Sequence, residues 1–158
     1  MAKLVIIYES KTGNTEKMAK FIAEGAKSVI GINVLLKKLG DPFSLRILDD
    51  ADAITLGAPA HYGHVTPEMR NFLAYLRDEN NAGRLKLKGK IGAVFGSYGW
   101  DGGMAIDRLA LDMETLGIKI QSRVLAQVPP LPYSSLKEKS LKECQELGKT
   151  LANKTSKQ

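Results

Sequence analysis

The stretch Leu4-Val-Ile-Ile-Tyr8-Glu-Ser-Lys-Thr-Gly-Asn-Thr15 joins an unbroken apolar run to a turn crowded with hydroxyl and amide side chains. A short apolar run without two-residue alternation suits a strand covered on both faces, as in a parallel sheet. The turn Ser10, Lys11, Thr12, Gly13, Asn14 and Thr15 then opens a segment with helical spacing, Met18, Phe21, Ile22 and Ala26. An ordinary helix N-cap needs only one hydrogen-bonding side chain, whereas this turn carries Ser10, Thr12, Asn14 and Thr15. Several hydroxyls and backbone N–H groups aimed at one spot, with the positive end of a helix dipole behind them, serve a phosphate. The turn contains neither Gly-Lys-Ser or Gly-Lys-Thr nor Gly-x-Gly-x-x-Gly, so triphosphate and dinucleotide loops are excluded. A monophosphate on a small cofactor fits.

Outward from this unit the pattern repeats. Val34 to Leu36, Ala53 to Leu56 and Ile91 to Phe95 are further buried-strand runs, and a fifth strand is expected within Ile118 to Val128. Helical stripes lie between them: Met69, Phe72, Leu73 and Leu76 after the cap Thr66 and first helical residue Pro67, then Ile106, Leu109, Met113 and Leu116 before a stop at Gly117, and finally Leu141, Cys144, Gly148 and Leu151. Residues 41–50, opened by Asp41-Pro42, read as a short helix, although Phe43, Leu45, Ile47 and Leu48 equally suit a turn packed on the core. The sum is an α/β fold of five parallel strands and about five helices, with right-handed crossovers placing helices on both faces. No internal repeat, linker or low-complexity block interrupts it, so residues 1–158 read as one domain. Ligands of such sheets bind beyond the carboxyl ends of the strands, where the strand order reverses.

The chain has 158 residues, 44% of them apolar and 25% charged, with a formal charge of +6. The basic residues are dispersed: Lys37 and Lys38 follow one strand, Arg84, Lys86, Lys88 and Lys90 precede another, and six lysines lie between Lys137 and Lys157. No zinc-ligand spacing, recognition helix or aromatic ladder accompanies them, so the charge reads as a solvated rim suited to an acidic protein partner, and not as a nucleic-acid site. Leu4 to Tyr8 is too short to span a membrane and lacks a signal-peptide pattern, which points to the cytoplasm. Cys144 sits within an apolar stripe and reads as a small buried hydrophobe.

Two more loops share the edge to which the first leads. Gly57-Ala58-Pro59-Ala60-His61-Tyr62-Gly63-His64 contains both histidines of the chain. Two histidines three apart, without a nearby carboxylate or thiol before Glu68, do not complete a metal shell. Tyr62 or His61 could stack on a planar ring and Gly63 allow close approach, although a turn with exposed aromatic groups explains the loop equally well. The loop Ser97-Tyr98-Gly99-Trp100-Asp101-Gly102-Gly103 holds the only tryptophan. A lone Trp is usually packing, but Trp100 belongs to no apolar stripe and is bracketed by glycines, so stacking on a flat ring explains it better.

Taken together, the Ser10 to Thr15 loop after a buried strand resembles the phosphate loop of flavodoxins, and the alternation from end to end matches their fold. The Ser97 to Gly102 loop resembles that of the flavodoxin domain of A-type flavoproteins, or flavodiiron proteins. The resemblance implies a flavodoxin-like three-layer sandwich with strand order 2-1-3-4-5 and bound FMN. It places Ser10, Thr12, Asn14 and Thr15 on the phosphate, with Lys11 and Gly13 in the same cofactor-binding loop, Pro59, Ala60, His61, Tyr62 and Gly63 on one side of the flavin, and Ser97, Tyr98, Gly99, Trp100, Asp101, Gly102 and Gly103 on the other. No counterpart of that family's diiron domain is expected within residues 1–158, whose two histidines cannot supply its ligands, so oxygen or nitric oxide reduction is not carried over. This chain departs from the family at Lys11, a cation in the phosphate loop, and at Ala60-His61-Tyr62-Gly63, where relatives tend to place Thr and Asn.

The function so implied is electron transfer between redox protein partners, with no catalytic side chain, since the flavin carries the chemistry. Gly63 or its neighbour is expected to offer a backbone carbonyl to the N5 edge of the ring. The basic chain is expected to make the second flavin potential less negative than in acidic flavodoxins. The alternative is an NAD(P)H:quinone reductase on the same fold, which needs a pocket above the flavin. Entry into helix at Thr66-Pro67 leaves no insertion to build one. A phospho-receiver domain would need an acidic pair after the first strand and an aspartate ending the third, where Glu9-Ser10 and Gly57-Ala58 stand.

Overall fold

The computed structural model describes residues 1–128 and 135–156; Lys157, at the end of the C-terminal lysine group, lies outside them. Strand β1 (Ala2–Tyr8) leads through the first loop into α1 (Asn14–Lys27), followed by β2 (Ile32–Lys38), α2 (Arg46–Asp49) and β3 (Ala53–Gly57). Next come two-residue strands β4 (Ala60–His61) and β5 (His64–Val65), then α3 (Pro67–Asn81), β6 (Ile91–Tyr98), α4 (Met104–Thr115), β7 (Lys119–Gln127) and α5 (Glu138–Ser156). The main sheet is parallel with order β2-β1-β3-β6-β7. With the small β4–β5 hairpin set aside, this is the 2-1-3-4-5 order that the resemblance implies.

Side-chain alternation along the strands divides the core into two layers. Leu4, Ile6, Tyr8, Ala93 and Phe95 face one layer, where they meet Met18 and Ile22 of α1 and Leu147 and Leu151 of α5. Val5, Ile7, Ile54, Leu56 and Val94 face the other, with Leu73 and Leu76 of α3 and Leu109 and Met113 of α4. Both faces are covered, which is why the strand runs lack polar alternation. Helices α1 and α5 touch backbone to backbone: a Cβ on Gly25 would lie 2.0 Å from the Gln145 carbonyl oxygen, and one on Gly148 would lie 2.0 Å from that of Ile22. Cys144 is fully buried in the same layer, and burial pushes its thiol up to about 12.

The helix read over 41–50 is shorter than expected and begins at Arg46. Pro42 disfavours helical geometry at Asp41, and Gly40, at φ +102°, has already turned the chain. Phe43, Leu45 and Ile47 pack against the core from this turn, and Phe43 meets Phe72 edge to face at 6.2 Å. No helix among the described residues is long and apolar enough to cross a membrane.

Candidate functional site: three loops at the carboxyl edge of the sheet

The register brings the loops together. Tyr8 pairs with Gly57 and Gly57 with Phe95, so three neighbouring strands deliver their loops at the same edge. The chain leaves β1 towards β2 on one side and returns to β3 on the other, so this edge is the point of reversal.

In the first loop the Gly13 N–H donates to Ser10 Oγ at 3.0 Å, folding the turn on itself, and Gly13 enters α1 with φ +95°. Lys11, Thr12 and Gly13 are exposed. The opening N–H groups of a helix have no intrahelical acceptor and carry positive potential. Thr15 is buried, with its Oγ1 3.2 Å from Ser97 Oγ, so two of the predicted side chains join the first loop to the third. Glu16 accepts from the Tyr8 hydroxyl at 2.8 Å, and burial together with this carboxylate pushes the phenol up to about 12.

The second loop is a β-hairpin. His61 pairs with His64 across a two-residue turn made of Tyr62, at φ +53°, and Gly63, at φ +78°. Positive φ at both central residues matches the turn whose twist suits a tight hairpin. Gly supplies such a φ freely; a tyrosine does so at a cost of about 1–2 kcal/mol. Tyr62 is the one non-glycine residue with positive φ among those described, and it is 85% exposed.

Glu9 ties this hairpin to the first loop. Its side chain is buried, its N–H donates to the Gly57 carbonyl at 3.0 Å, and Thr66 Oγ1 donates to its Oε2. Thr66 also caps α3 by accepting the Met69 N–H at 3.3 Å. Lys11 Nζ stands 3.1 Å from Glu9 Oε1 and 3.1 Å from Glu68 Oε1. Hydrogen bonds to Glu9 and Glu68 raise the Lys11 pKa, while a bond from its own backbone N–H and then one from Lys11 lower that of Glu68. The cation that Lys11 brings into the first loop is therefore engaged by two carboxylates. Glu9 escapes a reading by motif because an acid after a strand is ordinarily a solvated residue; only the tertiary contact with Thr66 reveals it.

The third loop is shaped by Asp101, whose Oδ1 accepts the Gly103 N–H at 3.0 Å and whose Oδ2 accepts the Ala105 N–H at 3.2 Å. Asp101 thus caps α4, with Gly103 at φ +85° leading into the helix. The Val128 N–H donates to the Tyr98 carbonyl at 2.8 Å and holds the base of the loop to the end of β7. Trp100 projects outward, 77% exposed.

Trp100, Gly99 and Asp101 face Ala60, His61, Tyr62 and Gly63 across a cleft of about 220 Å³. Of the predicted residues, the cleft gathers these seven, while Ser10 to Thr15 lie at the neighbouring helix end and Thr15 is bonded to Ser97. Two large aromatic side chains left in water beside a cleft carry a hydration cost that a flat ring between them removes. The donor set at the α1 N-terminus is neutral and suited to an anion. The residues present fit a flavin bearing one phosphate.

Comparison with known proteins agrees with this geometry. The flavodoxin family model matches residues 6–147. A flavodoxin of Aquifex aeolicus (strain VF5) is 38% identical over 106 residues, which are 65% of this chain and 54% of that protein. Among solved structures, a flavodoxin from the domain Archaea superposes with TM-score 0.79 at 32% identity, covering 98% of this chain and 99% of that one. The rubredoxin:oxygen oxidoreductase of Desulfovibrio gigas superposes with TM-score 0.81 at 26% identity, covering 98% of this chain but 36% of that one. The chain thus spans about half of the Aquifex protein and about a third of the oxidoreductase. The chain belongs to the flavodoxin family, whose cofactor is FMN.

Proposed function

We propose that residues 1–158 form one FMN-binding domain that carries electrons between redox protein partners in the cytoplasm. The observation that carries this reading is the pair Tyr62 and Trp100, 85% and 77% exposed, facing each other across the cleft beside the α1 N-terminus. Bound FMN supplies one- and two-electron redox chemistry. Backbone N–H groups of the Ser10 to Thr15 loop, that of Lys11 included, would hold the phosphate, with the hydroxyls of Ser10 and Thr12 as further donors to its oxygens. Thr15 and Ser97 brace this loop against the third. Tyr62 and Trp100 cover the two faces of the ring and keep water from it. Pro59, Ala60, His61 and Gly63 supply the second wall, with a main-chain carbonyl at Gly63 or its neighbour set to accept a proton-bearing nitrogen. Tyr98, Gly99, Asp101, Gly102 and Gly103 shape the first wall.

The absence of an insertion between β5 and α3 favours the carrier over a quinone reductase, because Val65 passes through Thr66 directly into helix. The basic residues are dispersed, nine of the 23 lying on α1, the end of β2 and α5. Any relief that they give to the negative charge of reduced flavin acts over distance and weakens with salt. Titration with FMN tests the reading: flavin absorption bands appear on the protein and the emission of Trp100, the one tryptophan, is quenched. A protein that takes up no FMN, or takes it up without quenching, refutes it. Anaerobic mixing with NADPH separates the alternatives, since rapid direct reduction identifies a reductase.

A further inference from the structure

Seven large apolar side chains stand exposed among the described residues, and four of them, Tyr62, Trp100, Met104 and Leu111, belong to the hairpin, the third loop and α4. The hairpin packs against α4, so these are neighbouring elements. Met104, Arg108, Leu111 and Thr115 recur at helical spacing, and all four are exposed. They form one outward stripe that contains no carboxylate and begins at Met104, three residues after Asp101 of the cleft. Of the acids on α4, Asp107 is ion-paired with Arg123 of β7, Glu114 lies seven residues on along the same flank, and Asp112 is half-buried. Arg46, Arg84 and Arg123 have ion-pair partners, whereas Arg108 has none among the described residues, as Arg70 and Arg77 of α3 also have none; of these three, Arg108 alone stands between exposed apolar neighbours of α4.

We infer that this stripe is the docking face for a redox protein whose own surface presents an apolar centre and a carboxylate to meet Arg108. The inference rests on the electron-carrier reading. A bound flavin covers Tyr62 and Trp100 but leaves Met104 and Leu111 in water, and an unpaired arginine between apolar neighbours is a frequent centre of binding energy. A second copy of the chain does not fit the stripe. An isologous contact that sets Met104 against Leu111 of its mate brings Arg108 against its own symmetry equivalent, two like charges in a drying interface. A carboxylate-bearing partner removes that conflict, and the place of the stripe beside the cleft puts the partner's redox centre near the cofactor.

The test is an amide NMR titration of isotopically labelled, FMN-loaded protein with an oxidised plant-type [2Fe–2S] ferredoxin of acidic net charge, at low ionic strength. Shifts are expected on Trp100, Met104, Arg108 and Leu111. Arg108→Glu and Leu111→Ser each weaken binding by about tenfold or more, while Lys142→Glu on α5, an equal charge change, alters it by less than about twofold. Equal losses for Arg108→Glu and Lys142→Glu, shifts confined to the lysines of α1 and α5, or no shifts overturn the inference. Sedimentation is expected to show a monomer, and a dimer abolished by Leu111→Ser also overturns it. A protein without flavin bands before ferredoxin is added refutes the carrier reading itself; one that holds FMN but binds independently of Arg108 refutes this inference alone.

Discussion

Replacing Thr66 by Val removes one hydroxyl that performs two tasks, because Thr66 Oγ1 donates to the buried Glu9 carboxylate and accepts the Met69 N–H at the start of α3. Val keeps the volume and the β-branch, so the loss is polar and leaves no cavity. A hydrogen bond to a charged group contributes about 1.5–3 kcal/mol. An N-cap contributes about 0.5–2 kcal/mol. Both bonds end together, so Thr66→Val is expected to destabilise the FMN-free protein by about 2–5 kcal/mol, a large part of a domain's stability. At this chain length that lowers the melting midpoint by roughly 10 °C. Urea unfolding followed by far-ultraviolet circular dichroism measures it, with Thr66→Ser as the control that keeps both bonds and stays within about 1 kcal/mol of the parent. A Thr66→Val protein within about 0.5 kcal/mol of the parent, or a Thr66→Ser protein as unstable as Thr66→Val, refutes the account of Glu9 as a tie between the loops.

Lys11→Met is expected to change FMN affinity by less than about threefold, because the ammonium is already engaged by Glu9 and Glu68. A loss of about 100-fold for FMN with none for riboflavin would instead make Lys11 a phosphate ligand. Gly63→Val puts a β-branched residue at φ +78° and is expected to cost about 1–2 kcal/mol in stability and to shift the flavin potentials. Unchanged unfolding and unchanged redox titration contradict the role given to the turn. Burial pushes the Cys144 thiol from an ordinary value of 9.0 up to about 12, so above pH 9 the unfolded chain releases a proton that the folded one retains. This contribution is whole below pH 9 and is lost as the pH rises towards 12. Tyr8, raised from 10.0 to about 12, acts with the same sign. Stability is therefore expected to fall between pH 9 and 11, less steeply in Cys144→Ala, and equal slopes for the two proteins count against it.

The amino-acid sequence by itself determined the layering and the five strands, and it singled out the first and third loops of the candidate site. Burial on both faces writes continuous apolar runs, helices write a 3.6-residue stripe, and the candidate phosphate turn concentrates hydroxyls within six positions, so each of these signals is local. The 41–50 segment was less legible because Phe43, Leu45 and Ile47 pack on the core from a turn as they would from a helix, and the choice depends on Pro42 and Gly40. What only the tertiary structure decided are the contacts between residues distant in sequence: Glu9 with Thr66, Thr15 with Ser97, Lys11 with Glu68, and the outward stripe of α4 beside the cleft. Sheet register sets which loops meet, and a carboxylate's role as strut or solvated charge follows from the partners that the register delivers, so no window of sequence contains it.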